Sequence, residues 1–188
     1  MEQVSPLALF HLRPITAELA EAMSEAWWPQ IEDLGEDDVR LVSKYQRLIA
    51  WAEDYGEGVT KGEHLYGIVG AGESHPKALV ELVHARAKSN TPYLKFLNMH
   101  FEPRLDTLDV GGDGFSEVIG TISAAIVHSI GLIFSDLPSY QLKVYGRGDE
   151  MKSVCDAIKY VINREDTPAP FLEADSHGRW LTVTKTQD

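Results

Sequence analysis

Residues 93–102 read YLKFLNMHFE. Period-two alternation along a strand sets Asn98, His100 and Glu102 on one face and Leu97, Met99 and Phe101 on the other. Imidazole titrates near neutrality, so a His–Glu row close to a strand end suits general acid/base chemistry, with His100 or Glu102 as the base. The same residues also suit a polar strand end facing solvent or a structural hydrogen bond. The second group with chemical potential is Arg147, between Gly146 and Gly148. At a strand-to-helix turn its guanidinium can meet an anion to which the helix N-terminus adds amides. Asp149 and Glu150 in that first turn suit the helix dipole but oppose an anionic ligand.

Other motifs fail on spacing. Tyr66–Gly72, YGIVGAG, superficially resembles a dinucleotide-binding turn, but the third glycine of that motif is missing, and Pro76 and another strand follow where a helix is needed. A glycine-relaxed hairpin fits better. Asp109, Asp113 and Glu117 do not make a calcium loop, because positions three and twelve would be Gly111 and Gly120. The seven histidines show no metal-ligand spacing, and Cys155 is the single cysteine. Neither an internal disulfide nor a cysteine zinc site can form, and no metal is expected.

These residues need elements to hold them. Leu7–Leu12 reads as a short strand ended by Pro14, followed by a helix with Thr16 as N-cap, which Trp27-Trp28-Pro29 ends. A second, amphipathic helix runs from Asp38 to Tyr55, with Gly56 as a left-handed C-terminal residue. His64–Ala71, Lys77–Lys88 and Tyr93–Glu102 form an antiparallel meander joined by hairpin-length loops. Phe115–Phe134 is apolar nearly all round, which marks a helix buried against a sheet. A strand at Tyr140–Tyr145 and a helix follow, the helix placing Met151, Val154, Cys155, Ile158 and Ile162 on one face. A hairpin of Phe171–Ala174 and Arg179–Thr184 closes the chain.

With 188 residues, 44% hydrophobic and 24% charged, the chain suits one domain, 1–188, with a substantial core. A net charge of −12 without a basic run disfavours binding to nucleic acid or anionic lipid. The N-terminus lacks the form of a signal peptide, and no apolar run approaches the ~20 residues of a membrane span. A cytoplasmic protein is the expectation.

The resulting order, β-α-α-β-β-β-α-β-α-β-β, resembles that of the GCN5-related N-acetyltransferases (GNAT superfamily). HLRPITAELAEAM is similar to that family's first strand, Arg-Pro step and first helix, and VYGRGDEMKSVC to its splayed strand and following helix. The resemblance implies an α/β (α+β) fold with a mixed, mainly antiparallel central sheet flanked by helices. It also implies acetyl-CoA or another acyl-CoA as cofactor, and a small-molecule amine or a protein as acceptor. Where the family has a Gln/Arg-x-x-Gly-x-Gly/Ala loop for the pyrophosphate, this chain reads PRLDTLDVGGDGFSE, longer and with three aspartates. Gly111, Gly112 and Gly114, with Arg147, are the residues this implies for the cofactor. The position of the family's proton-donating Tyr holds Cys155, on the apolar stripe of its helix. Two functions follow: an acyl-CoA-dependent N-acyltransferase with an atypical loop, or a catalytically silent binding protein that uses the scaffold and an acidic surface.

Overall fold

The computed structural model describes residues 9–34, 38–59, 63–108, 114–167 and 169–186. The chain runs β1 (Phe10–Pro14), α1 (Ala17–Asp33), α2 (Val39–Gly56), β2 (His64–Gly70), β3 (Pro76–Ala85), β4 (Tyr93–Phe101), α3 (Pro103–Asp106), α4 (Phe115–Leu132), β5 (Gln141–Tyr145), α5 (Asp149–Ile162), β6 (Leu172–His177) and β7 (Trp180–Lys185). Apart from the one-turn α3, this is the order the sequence predicts. The strands form one sheet in the order β1-β2-β3-β4-β5-β7-β6. Every neighbouring pair is antiparallel except β4 and β5. Pro14 closes β1 without loss, because β1 is an edge strand and a missing N–H there disrupts no inner ladder.

Helices cover the sheet in two cores. On one face Leu65, Val69 and Leu79 pack with Leu19, Met23 and Trp27 of α1 and Tyr45, Leu48 and Ile49 of α2. On the other, Ile68, Val80, Leu82, Leu94, Phe96, Leu142 and Val183 pack with Ile122, Ile126 and Ile130 of α4 and Val154 and Cys155 of α5. By length and composition α4, with 18 residues, is apolar enough to cross a membrane, which departs from the expectation that no segment comes near that length. In this structure it packs against the sheet, and Thr121, Ile122, Ala124 and Ile126 are among its buried residues.

Three local expectations need correction. The first helix does not stop at Trp27-Trp28-Pro29 but continues to Asp33. Trp27 and Ile31, one turn apart, are both buried, and Pro29 is exposed. The carbonyl that Pro29 deprives of a donor belongs to the exposed Glu25, where water can satisfy it. Gly56 is not the left-handed residue: it is the last residue of α2, and Gly58 takes φ +77°. Glycine is required at 56 by proximity, since a Cβ would lie 2.9 Å from the Ala17 nitrogen. The final hairpin is longer than expected, because a two-residue turn at Gly178-Arg179, with Gly178 at φ +61°, joins β6 to β7.

Trp27 ties α1 to the sheet. Its ring is wholly buried, it meets Tyr45 edge-to-face at 6.3 Å, and its Nε1 donates to the Pro76 carbonyl at 2.9 Å. Trp27→Ala is expected to destabilise the fold by about 3–5 kcal/mol. Its neighbour Trp28, 40% exposed, is expected to tolerate Ala within about 0.5 kcal/mol. Urea unfolding of the two variants checks the contrast.

Candidate functional site

The ladder between the parallel strands begins at Tyr93↔Gln141 and ends at Phe96↔Val144. Beyond that point β4 continues to Phe101 without β5 beside it. Parallel strands that part in this way leave a crevice at their carboxyl ends, the usual ligand position in open α/β sheets. Here the crevice is a cavity of about 520 Å³. Its apolar wall comes from β4, α4 and α5, through Met99, Phe101, Val118, Ile122 and Met151, and Lys44, Asn98, His100, Asp106, Tyr145 and Arg147 supply its polar groups.

A β-bulge decides which side chains reach it. Against β3 the register runs Glu81↔Asn98 and then Leu82↔Phe96, so Leu97 has no counterpart. Leu94 and Phe96 before the bulge, and Met99 and Phe101 after it, all pack on the α4 core. Without the extra residue Asn98 and His100 would share the face of Leu94 and Phe96. With it they turn to the α2 side, where the His100 ring meets Trp51 edge-to-face at 6.4 Å.

Burial, followed by the nearby Lys44 ammonium and the Arg147 guanidinium, lowers the His100 pKa below 6.5, against the pull of Glu81 and Asp106. The imidazole is therefore neutral at pH 7 and able to accept a proton. Asn98 Nδ2 donates to Glu81 Oε2 at 2.5 Å. A carboxylate only accepts, so this bond fixes the orientation of the amide. Asn98 Oδ1 is then left buried and without a partner among the described residues. An unpaired buried acceptor of this kind is costly, and a ligand N–H would satisfy it. Asp106 accepts from Tyr45 Oη at 2.5 Å and from Lys44 Nζ, which ties α3 to α2 beside the cavity.

The structure does not bring Glu102 to the cavity. Its carboxylate is 1% exposed and accepts from Gln30 Nε2 and Arg104 Nη2, each at 3.1 Å. Lys77 Nζ and His75 Nε2 stand 3.6 and 3.7 Å away. Burial works against the charge of Lys77, yet Glu73, Glu102 and Glu117 together hold its pKa above the usual value. Glu102 thus anchors a cluster that joins α1, β3, α3 and α4.

Arg147 lines the cavity, and its guanidinium makes no ion pair among the described residues. The acidic first turn of α5 opposes an anion less than its sequence suggests, because Arg179 Nη2 binds Asp149 at 2.8 Å. Arg179 Nη1 also donates to the Gly146 and Arg147 carbonyls, both at 2.9 Å. Gly148 caps α5 without a side-chain bond. Gly111 and Gly112 lie outside the described residues. Gly114 is the N-cap of α4, where a Cβ would fall 2.2 Å from Leu108 Cδ1.

Cys155 belongs to the core and does not line the cavity. Burial, with Asp156 adding to it, pushes its thiol up to about 11. The sequence reading missed Lys44, Asn98, Tyr145 and Arg179. The alternation signal covered Asn98, but no local pattern marks the others.

No protein-family model matches the sequence, and no curated protein matches it. Solved structures do align with the chain. The PaiA N-acetyltransferase of Thermoplasma acidophilum in complex with coenzyme A is 12% identical, with 94% of this chain and 99% of that one covered and a TM-score of 0.42. RimJ of Mycobacterium smegmatis in complex with CoA-disulfide is 14% identical, with 96% and 83% covered and a TM-score of 0.47. The N-acetyltransferase PseH of Campylobacter jejuni is 13% identical, with 96% and 99% covered and a TM-score of 0.41. At TM-scores of 0.41 to 0.47 these likenesses decide neither the fold nor the chemistry of this chain.

Two expectations follow from the site. Cys155→Ala should cost ~1–2 kcal/mol of stability through lost packing, and thiol reagents should label the native protein slowly. His64 has its pKa lowered by burial and by His84, in the same direction as His100. For both, the unfolded chain binds protons more readily, so their contribution is present above pH ~6.5 and lost as pH falls through the folded pKa values. Urea midpoints should therefore decline below pH ~6.5, and less steeply in His100→Gln. The strands, helices and their order are those that the resemblance to the GCN5-related N-acetyltransferases implies: a mixed, mainly antiparallel sheet flanked by helices.

Proposed function

We propose that this protein is an acyl-CoA-dependent N-acyltransferase whose acyl transfer takes place in the cavity where β4 and β5 part. The observation that supports this most is the pairing of a neutral, partly buried His100 with the unsatisfied Asn98 Oδ1 on one strand face inside that cavity. The residues present suit the cofactor. The apolar wall suits an acyl chain, the Asn98 amide oxygen suits an N–H, and Arg147, without an ion pair among the described residues, suits a phosphate beside the N-terminus of α5.

When bound, the thioester supplies an activated acyl group. His100 takes a proton from the acceptor amine as its nitrogen forms the new C–N bond and the C–S bond breaks. Asn98 Oδ1 holds an N–H of the incoming group. Tyr145, which lines the same cavity, would supply a proton to the leaving thiolate from its phenol. Glu102 holds the end of β4 in place from its buried ion cluster. The acceptor is an amine, presented by a small molecule or a protein.

Acetyl-CoA is expected to raise the melting temperature of the wild-type protein, because it binds only the folded state. Arg147→Ala should weaken that shift and His100→Ala should leave it intact. With an amine acceptor, His100→Ala should lower turnover roughly a hundredfold or more. The wild-type rate should fall on the acid side of pH ~6.5, where His100 becomes protonated. No thermal shift at millimolar acetyl-CoA would instead favour the catalytically silent binding protein.

A further inference from the structure

α1 and α2 pack on the β1–β3 half of the sheet, and α4 and α5 cover the opposite face. On the first face, towards β5 and β7, the strands carry an unusual group of side chains. The Tyr93 ring has Lys143 Nζ at 5.0 Å, Lys95 Nζ at 5.5 Å and Arg86 Cζ at 5.9 Å from its centroid. Lys95 and Lys143 are direct register partners on β4 and β5. Like charges placed opposite one another across strands destabilise a sheet. None of the three cations has a carboxylate within ion-pair distance among the described residues. This is notable in a chain with 29 acidic and 17 basic residues.

Two features hold the group together. The negative face of the Tyr93 ring partly offsets the repulsion, as cation–π contacts do. Arg86 takes φ +54°, the one non-glycine residue with positive φ among the described residues, and its carbonyl accepts from Ser89 N at 2.8 Å. A left-handed backbone is unfavourable for arginine, and it is adopted where the guanidinium joins the two ammonium groups. Three positive charges meet on one ring, and the described residues supply no counter-charge within ion-pair distance.

We infer that Tyr93, Lys95, Lys143 and Arg86 form a binding site for a multiply charged phosphate group, carried by a phosphorylated or diphosphorylated small molecule. A dianion or trianion matches the local charge, whereas a single carboxylate would leave most of it uncompensated. Ammonium groups bind phosphate as point charges, and the guanidinium adds directed N–H donors. The site is separate from the cavity: Lys95 and His100 are five positions apart on β4, roughly 15 Å along the strand. It does not depend on the acyl-transfer reading.

Calorimetric titration at low salt with inorganic pyrophosphate and with O-phosphoserine tests the inference, the two probes distinguishing diphosphate from phosphomonoester ligands. At least one should bind the wild-type protein, and the double variant Lys95→Gln/Lys143→Gln should bind it about tenfold or more weakly. Arg147→Ala, which alters the cavity where the cofactor phosphate is proposed to sit, should leave in place the binding that the double variant loses. The double variant should melt no lower than the wild type without ligand, since it relieves a like-charge pair, and this also shows that it folds. The inference is overturned if neither probe binds at millimolar concentration. It is equally overturned if binding survives the double variant, if it is lost in Arg147→Ala instead, or if a polyglutamate peptide binds more tightly than either phosphate probe.

Discussion

The single parallel pairing in the sheet sets the character of this molecule. An antiparallel ladder stays paired for as long as both strands last. The β4–β5 ladder closes after Phe96↔Val144, and β4 then runs on to Phe101 paired with β3 alone. Its open edge must be enclosed by other elements: α3 and α4 from one side, the Gly146–Gly148 turn and α5 from the other. That enclosure is the cavity. The Leu97 bulge and the parting of the strands occupy the same short stretch, so His100 and Asn98 are turned to the α2 face where the backbone opens.

Polar and charged side chains gather in two places with different roles. Around Glu102, oppositely charged groups satisfy one another, and removing one partner would leave an uncompensated buried charge. In the cavity, by contrast, Asn98 Oδ1 has no hydrogen-bond partner and Arg147 no ion pair among the described residues, and His100 is held neutral. Satisfied groups fix the frame, and Asn98, His100 and Arg147 line the space a ligand would fill. This difference separates Glu102 from His100, two residues that sequence alternation alone places together.

The elements were largely legible because their signals are local. The Thr16 and Asp38 caps both accept backbone N–H bonds, from Leu19 and Leu41. The stripe of α2 buries Tyr45, Leu48, Ile49 and Ala52 as its spacing requires. Errors arose where a distant contact overrides a local rule. Tertiary burial of Trp27 and Ile31 carries α1 past Pro29, and the approach of α1 rather than backbone handedness demands glycine at 56. The site was harder to read for the same reason. Alternation placed His100 correctly only downstream of the bulge, and nothing near Glu102 in sequence announces Lys77, Gln30 or Glu117. The roles of Arg179 and Tyr145 arise from β7 and β5 meeting across the sheet.

Backbone amide chemical-shift mapping of the labelled protein during titration with acetyl-CoA tests most directly that the strand parting is the ligand site. The account predicts saturable shifts concentrated at 97–101 on β4 and 145–151 around the Arg147 turn, with the His100 ring resonances moving in step. Saturable shifts confined to other parts of the sheet, or no shifts at millimolar acetyl-CoA, would contradict it.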